Sequence, residues 1–303
     1  MYTKISPLPE MMMNLSDEAW YSLLIKSITN QNINGVEFPG FPTPEVQTRF
    51  VGSSYQQELE EAFAYYKYVK SQASVLGKPL NPETHFLDFG CGWGRLLRFF
   101  WKDIAAENLF GCDVMPLAID ICQSTGISGN LDLIEPEGSL PYPDNYFEAI
   151  IAYSVFTHLP ERMNLHWMQE LARVSSPGCV FCLTLEPRGF IDRISNVPPD
   201  TDNAWLLSLS RYASMADDLY QKFDSGEIVY LPTGGGDNLT TDVYGDAIVP
   251  LAYIQKNWSP FFAIKAYIDY PTQNWRQAHL VVQKKLRELV KPRHAPALRL
   301  PRL

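Results

Sequence analysis

The sequence predicts an α/β fold built on a doubly wound, mainly parallel sheet, and three observations predict it. From His85 onward short apolar runs alternate with amphipathic stretches, the pattern of strand–helix units joined by right-handed crossovers. Residues 147–153 form a continuous apolar run, as a strand covered on both faces requires. Residues 86–95, FLDFGCGWGR, carry an apolar strand into glycines at every second position, Gly90, Gly92 and Gly94, behind the acidic Asp88. Glycines so placed bare the backbone at the carboxyl edge of a sheet, where a flat, nucleoside-like ligand can lie against the main chain.

The elements follow in order. Ser16 is a good helix N-cap, with Asp17 and Glu18 behind it and an amphipathic run over residues 19–28. The glycines and prolines of residues 30–44 predict an ordered surface loop, which residues 51–54 end before a helix over 56–74. The core then reads strand 86–89, helix 95–102, strand 108–112, helix 116–124, strand 131–134, strand 147–153, helix 160–174 and strand 178–185. Beyond Glu186 the alternation lapses for about sixty residues, longer than an ordinary crossover, which predicts a cap over the substrate. That cap holds a helix over 204–223, a strand-like run at 228–231 and a glycine turn at Gly234, Gly235 and Gly236. A helix over 248–257 and strands at 262–269 and 278–284 complete the chain's regular part. Residues 286–303 are basic and punctuated by proline, and read as a tail or as a linker to a further domain.

Composition narrows the function. At 303 residues the chain can bury a full core, and its formal net charge of −9 speaks against a nucleic-acid partner, which needs a basic face. The five cysteines lack the paired spacing of a disulfide framework and read as reduced, buried thiols. Cys179 and Cys182 form a C-x-x-C inside a strand-like run with no second pair, so no metal site is expected. With no apolar stretch long enough to span a bilayer and no signal-peptide pattern, the chain is expected to be cytoplasmic and without a membrane partner.

The glycine spacing points to the ligand. Dinucleotide folds use G-x-G-x-x-G to aim a helix at a pyrophosphate; this chain has G-x-G-x-G with Asp88 two residues ahead, which suits a ligand without phosphates. Asp113, at the end of the second strand, can accept hydrogen bonds from both hydroxyls of a ribose. That carboxylate serves adenosine ligands generally, so an NAD-dependent oxidoreductase stays open at this point. Here, and in the run LPYPDNYFEAIIAYSVFTHLPE over 140–161, the chain resembles the class I (Rossmann-like) S-adenosylmethionine-dependent methyltransferases. The match is close from about His85 to Leu185, loose in the carboxyl third, and slight over the first fifty residues; EPEGS at 135–139 departs from the usual adenine-contacting pair.

The resemblance implies a seven-stranded sheet whose last strand is antiparallel, an amino-terminal helical lid over residues 1–75, a cofactor domain over 76–285 with its cap insert at about 187–247, and the tail 286–303. It implies S-adenosyl-L-methionine as cofactor, S-adenosyl-L-homocysteine as product, and a site formed by Asp88, Gly90, Cys91, Gly92, Gly94, Asp113, Val114, Met115, Tyr153 and Ser154. The acceptor expected is a small molecule, a sugar or a peptide-like natural product attacked at oxygen or nitrogen. A sulfonium is a good leaving group, so alignment carries most of the catalysis, and a base is needed only when the acceptor stays protonated. His158 is the first candidate for that base and Glu186 the second. Trp93, Tyr212, Tyr244 and Trp258 are candidate walls, His279 a candidate lining residue, and His166 reads as solvent-facing. A protein that binds the cofactor without turning it over remains the other alternative.

Overall fold

The computed structural model describes residues 8–234, 239–269 and 276–286. Its main sheet has seven strands: β1 (Phe86–Phe89), β2 (Leu109–Asp113), β3 (Asn130–Leu133), β4 (Phe147–Ala152), β5 (Ser175–Leu185), β6 (Phe262–Ile268) and β7 (Ala278–Lys284). They run in the order β6-β7-β5-β4-β1-β2-β3. The five strands from β5 to β3 are mutually parallel, while β7 is antiparallel to both β5 and β6. After β1 the chain winds outward through β2 and β3, and then returns to build the other side from β4. A crevice therefore opens at the carboxyl ends of β1 and β4, where such sheets hold ligands.

Alternation along each strand makes two cores. Leu87, Phe89, Ile150, Ala152 and Phe181 face one cluster, and Phe86, Ala149, Ile151, Val180 and Cys182 face the other. The first is covered by Met163, Trp167 and Leu171 of the helix Glu161–Val174. The second is covered by Trp20 and Leu24 of the helix Asp17–Ser27, and by Leu59, Tyr65 and Tyr66 of the helix Gln56–Val75. Ser16 caps the former through its side-chain oxygen, which accepts from Ala19 N at 3.1 Å. A shared ion network ties this helical layer down, with Lys70 at 2.6 Å from Asp17 and 3.0 Å from Asp103, and Lys102 at 3.1 and 3.2 Å from the same two carboxylates.

The cap has its own apolar cluster, which includes Phe190, Ile194, Leu209, Phe223, Leu231 and Ile248. Its expected helix over 204–223 is broken into Ala204–Ser210, a 3-10 turn at Ala213–Met215, and Ala216–Asp224. The helix expected over 248–257 begins only at Leu251, because Pro250 serves as its N-cap and biases Val249 towards extended backbone. The residues before it, Asp246–Ile248, pair instead with Val229–Leu231. In the amino-terminal loop two elements were not expected: a hairpin of Asn32–Ile33 with Val36–Glu37, turning at left-handed Asn34 and Gly35, and the helix Pro44–Val51 with proline in its first turn. The helix expected over 95–102 is only Leu97–Phe100. Of the glycine turn, Gly235 and Gly236 lie outside the described residues, as do 287–303 of the tail.

All five cysteines are buried and free, and burial pushes the Cys179 thiol up to about 12, which keeps it protonated. Among the described residues no helix is long and apolar enough to cross a membrane. Phe181 sits at the centre of the first core, fully buried, with Phe156 and Phe262 against its ring at centroid distances of 6.2 and 5.9 Å. Phe181→Ala is expected to lower unfolding free energy by about 3–5 kcal/mol in urea titrations; a loss within experimental error would contradict the placement of this core.

Candidate active site

Strand β1 ends in a turn that only glycine can make. Gly90 has φ of +78°, and a Cβ there would stand 2.3 Å from Val155 Cγ2; Gly94 has φ of +77°, and its Cβ would stand 2.6 Å from Ile127 Cγ1. The turn is fastened to the neighbouring strand: the Cys112 carbonyl accepts from Gly90 N at 2.8 Å and from Cys91 N at 3.0 Å. Asp113 completes the fastening, since one carboxylate oxygen accepts from Gly92 N and the other from Met115 N, each at 2.9 Å. Burial raises the Asp113 pKa, and the N–H groups of Met115, Gly92 and Val114 oppose that rise.

Above this turn lies a cleft enclosing about 1090 Å³ of empty space, counted out to its open mouth. The structure brings nearly all the expected cofactor residues to it: Asp88, Gly90, Cys91, Gly92, Asp113, Val114, Met115, Tyr153 and Ser154 line its wall. Gly94 is not in the lining and serves the turn beneath. Ile134, Leu159, Met163 and Trp167 add an apolar band. Where EPEGS departs from the usual adenine-contacting pair, Ile134 and Pro136, on either side of Glu135, line the cleft.

Asp88 is the anomaly of the site. It is 1% exposed, and neither carboxylate oxygen has a hydrogen-bond partner among the described residues. Burial, and then the charge of Asp113, pushes its pKa up to about 8 against the pull of Arg95. Arg95, also in the cleft wall, is held from behind by Glu58 at 3.0 Å and Glu61 at 3.6 Å and stands over the Tyr153 ring, 4.8 Å from its centroid. The Tyr153 hydroxyl donates to Glu61 at 2.7 Å. Burial pushes the Glu58 carboxyl up to about 7, with the Arg95 charge opposing. Ser154, at the end of β4, takes φ of +57°, a left-handed backbone uncommon for serine, and its N–H donates to Thr184 Oγ1 at 2.7 Å.

The two base candidates part company. His158 lines the cleft; its Nδ1 is 2.8 Å from the Gly245 carbonyl, which can only accept, so the proton sits on Nδ1 and Nε2 carries the lone pair. Its ring stacks on Tyr244 at 4.5 Å, and burial lowers its pKa, which keeps it neutral. Glu186 does not line the cleft. The Gln277 amide stands between it and Ser154, donating to Glu186 Oε1 at 3.1 Å and to Ser154 Oγ at 2.9 Å. Burial pushes Glu186 up to about 7.

Other expected side chains fall elsewhere. Trp93 and Tyr244 do line the cleft. Trp258 is core, donating to Asn164 at 3.0 Å, and Tyr212 packs on the cap cluster. His279 is 1% exposed between Tyr65 and Tyr68 and away from the cleft. His166 is half-buried, with Nε2 2.8 Å from the Gly138 carbonyl, because the turn before β4 folds back on its helix. Sequence reasoning missed Phe50 and Val51, which reach the cleft from the unexpected helix Pro44–Val51, and Arg95, whose place right after Gly94 was the signal available.

A family model described as a methyltransferase domain matches residues 87–183, the stretch that carries β1 to β5 and the glycine turn. Residues 87–183 thus carry a methyltransferase domain. A sterol 24-C-methyltransferase of Gibberella zeae is 26% identical over 137 residues, 44% of this chain and 34% of that protein. A glycine/sarcosine/dimethylglycine N-methyltransferase of Actinopolyspora halophila is 32% identical over 108 residues, 32% of this chain and 18% of that one. The chain thus spans well under half the length of these two relatives. A solved methyltransferase of Mesorhizobium loti shares 13% identity with a TM-score of 0.49, covering 74% of this chain and 98% of its own.

The methyltransferase domain's own residues fit the family's cofactor. A buried carboxylate without a partner, at the rim of a glycine cradle that side chains would fill, is what an ammonium-bearing adenosine ligand requires.

The unpaired carboxylate sets a pH dependence. With a folded pKa raised to about 8, Asp88 keeps a proton that the unfolded chain releases near 4, so its contribution to stability is complete at low pH and is lost as pH rises towards 8. Asp88→Asn is therefore expected to raise the urea midpoint at pH 8, with a gain that shrinks towards pH 5, while weakening binding of S-adenosylhomocysteine. Equal stability of the two proteins at both pH values would remove the unpaired carboxylate from the account.

Proposed function

We propose that the chain transfers a methyl group from S-adenosyl-L-methionine to an oxygen or nitrogen nucleophile of a small molecule, sugar or peptide-like natural product. The observation that carries the reading is the pair of buried carboxylates on the cleft floor: Asp88 without any partner, and Asp113 held in place by Gly92 and Met115. When bound, S-adenosyl-L-methionine supplies a methyl group already activated by its sulfonium. Asp88 takes the ligand's ammonium, and the lone pairs of Asp113 left over from its two backbone bonds accept from ribose hydroxyls.

The remaining work is alignment and exclusion of water. Phe50, Val51, Val243 and Tyr244 close the cleft with apolar and aromatic surface drawn from the amino-terminal helix and the cap. His158 is the polar group suited to take a proton: neutral, with Nδ1 committed to Gly245 and Nε2 open for a proton leaving a hydroxyl or an ammonium-derived nucleophile. That arrangement favours catalysis over a purely binding role. Glu186, one amide behind Ser154, supports the wall and is not in reach as a first base.

Two outcomes follow. Asp113→Ala should weaken S-adenosylhomocysteine binding in calorimetry by about tenfold or more, about 1.4 kcal/mol, and an unchanged affinity would sink the ribose assignment. His158→Ala should bind S-adenosylhomocysteine as the parent does, yet transfer no label from methyl-labelled cofactor to the low-mass compounds of a native cell extract. Equal labelling by both proteins would take His158 out of the chemistry.

A further inference from the structure

Beside the glycine turn lies a buried cation that the proposed chemistry does not use. Arg98 is 1% exposed and makes no ion pair among the described residues. Its NH2 donates to the Gly40 carbonyl at 3.1 Å, whereas Nε and NH1 have no hydrogen-bond partner among the described residues. The guanidinium lies between two aromatic faces, 4.0 Å from the Phe41 ring centroid and 4.8 Å from that of Trp93. Burial lowers its pKa to about 9, as expected for a cation with no carboxylate beside it.

One of those two faces belongs to the cleft wall and the other to the segment that leads into its amino-terminal cover. Trp93 lies between Gly92 and Gly94 and lines the floor. Phe41 opens the segment that becomes the roof. Two residues on, the Pro42–Thr43 step leads into the helix Pro44–Val51, and Phe50 and Val51 at its end line the cleft. Gln47 makes this segment one unit, donating to the Pro42 carbonyl at 2.7 Å and accepting from Tyr55 N at 2.8 Å. Roof and floor thus meet at the guanidinium and at the tilted Phe41 and Trp93 rings beside it, 6.0 Å apart between centroids. Burying a charge with two idle nitrogens costs stability, and an unbranched apolar side chain could fill the same slot without that cost.

We propose that Arg98 is a positioning residue for the cofactor, clamping the segment 40–51 onto Trp93 so that the roof is held over the glycine floor. The proposal rests on the cofactor reading above, and acts through Trp93 and Phe50 rather than by touching the ligand. A planar cation stacks on both rings and reaches Gly40 at once; lysine has the charge without the plane.

The test compares the full chain with Arg98→Met and Arg98→Lys in three measurements. Thermal unfolding should show Tm of Arg98→Met equal to or above the parent. Calorimetry should show the Kd for S-adenosylhomocysteine rising about fivefold or more in both variants. Hydrogen exchange of the free protein should show faster exchange at residues 40–51 in both. Unchanged exchange at 40–51 overturns the clamp, and so does a Tm that falls together with affinity, which is the signature of an ordinary core residue. If the parent itself does not bind S-adenosylhomocysteine, the cofactor reading fails, and the exchange comparison still decides the clamp.

Discussion

Two parallel strands end side by side, and the carboxylate of Asp113 fastens the turns that leave them. One oxygen holds Gly92 of the first turn and the other holds Met115 of the second, while the Cys112 carbonyl holds Gly90 and Cys91. Everything else in the site hangs from this clasp. It brings the glycine backbone to the crevice where the sheet reverses its winding, and it leaves the Asp88 carboxylate at the end of β1 inside a dry wall with no donor of its own. A fold that buries an unpaired carboxylate gives up stability at neutral pH, and a cationic ligand group returns it by supplying the missing donor.

Around that floor the structure adds covers from distant parts of the chain. The amino-terminal segment contributes Phe50 and Val51, and the loop before Asp246–Ile248 contributes Val243 and Tyr244. The second cover is registered on the β4 exit by a reciprocal pair: Gly245 N donates to the His158 carbonyl at 3.1 Å, and His158 Nδ1 donates to the Gly245 carbonyl at 2.8 Å. The contact that seats the cap therefore also decides which imidazole nitrogen carries the proton. Cap placement and the tautomer of His158 are one interaction.

The parts legible in the sequence are those with a local cause. Short, unbroken apolar runs marked the core strands, and the alternating glycines behind Asp88 marked the cofactor floor, because a bare backbone turn needs glycine in its own sequence. The helix Pro44–Val51 escaped because its Gly- and Pro-rich approach reads as loop, although Thr43–Pro44–Glu45 is a proper helix start. His279 and Trp258 were expected at the cleft and lie elsewhere for another reason: which face of a strand or helix turns to the cleft depends on partners far along the chain. Nothing local marks Arg98 as buried; Gly40 and Phe41, nearly sixty residues earlier in the chain, return over it. The part of the cleft wall that the covers add has no local signature for the same reason.

Asp88 waits for a cation, and proton linkage tests this most directly. A carboxyl with a pKa of about 8 is mostly protonated at pH 7, and must ionise to receive an ammonium. Titrating S-adenosylhomocysteine into the protein at pH 7 in buffers of different ionisation enthalpy should show release of about one proton per ligand bound, and Asp88→Asn should abolish it. Binding without proton release, or release that persists in Asp88→Asn, would contradict it.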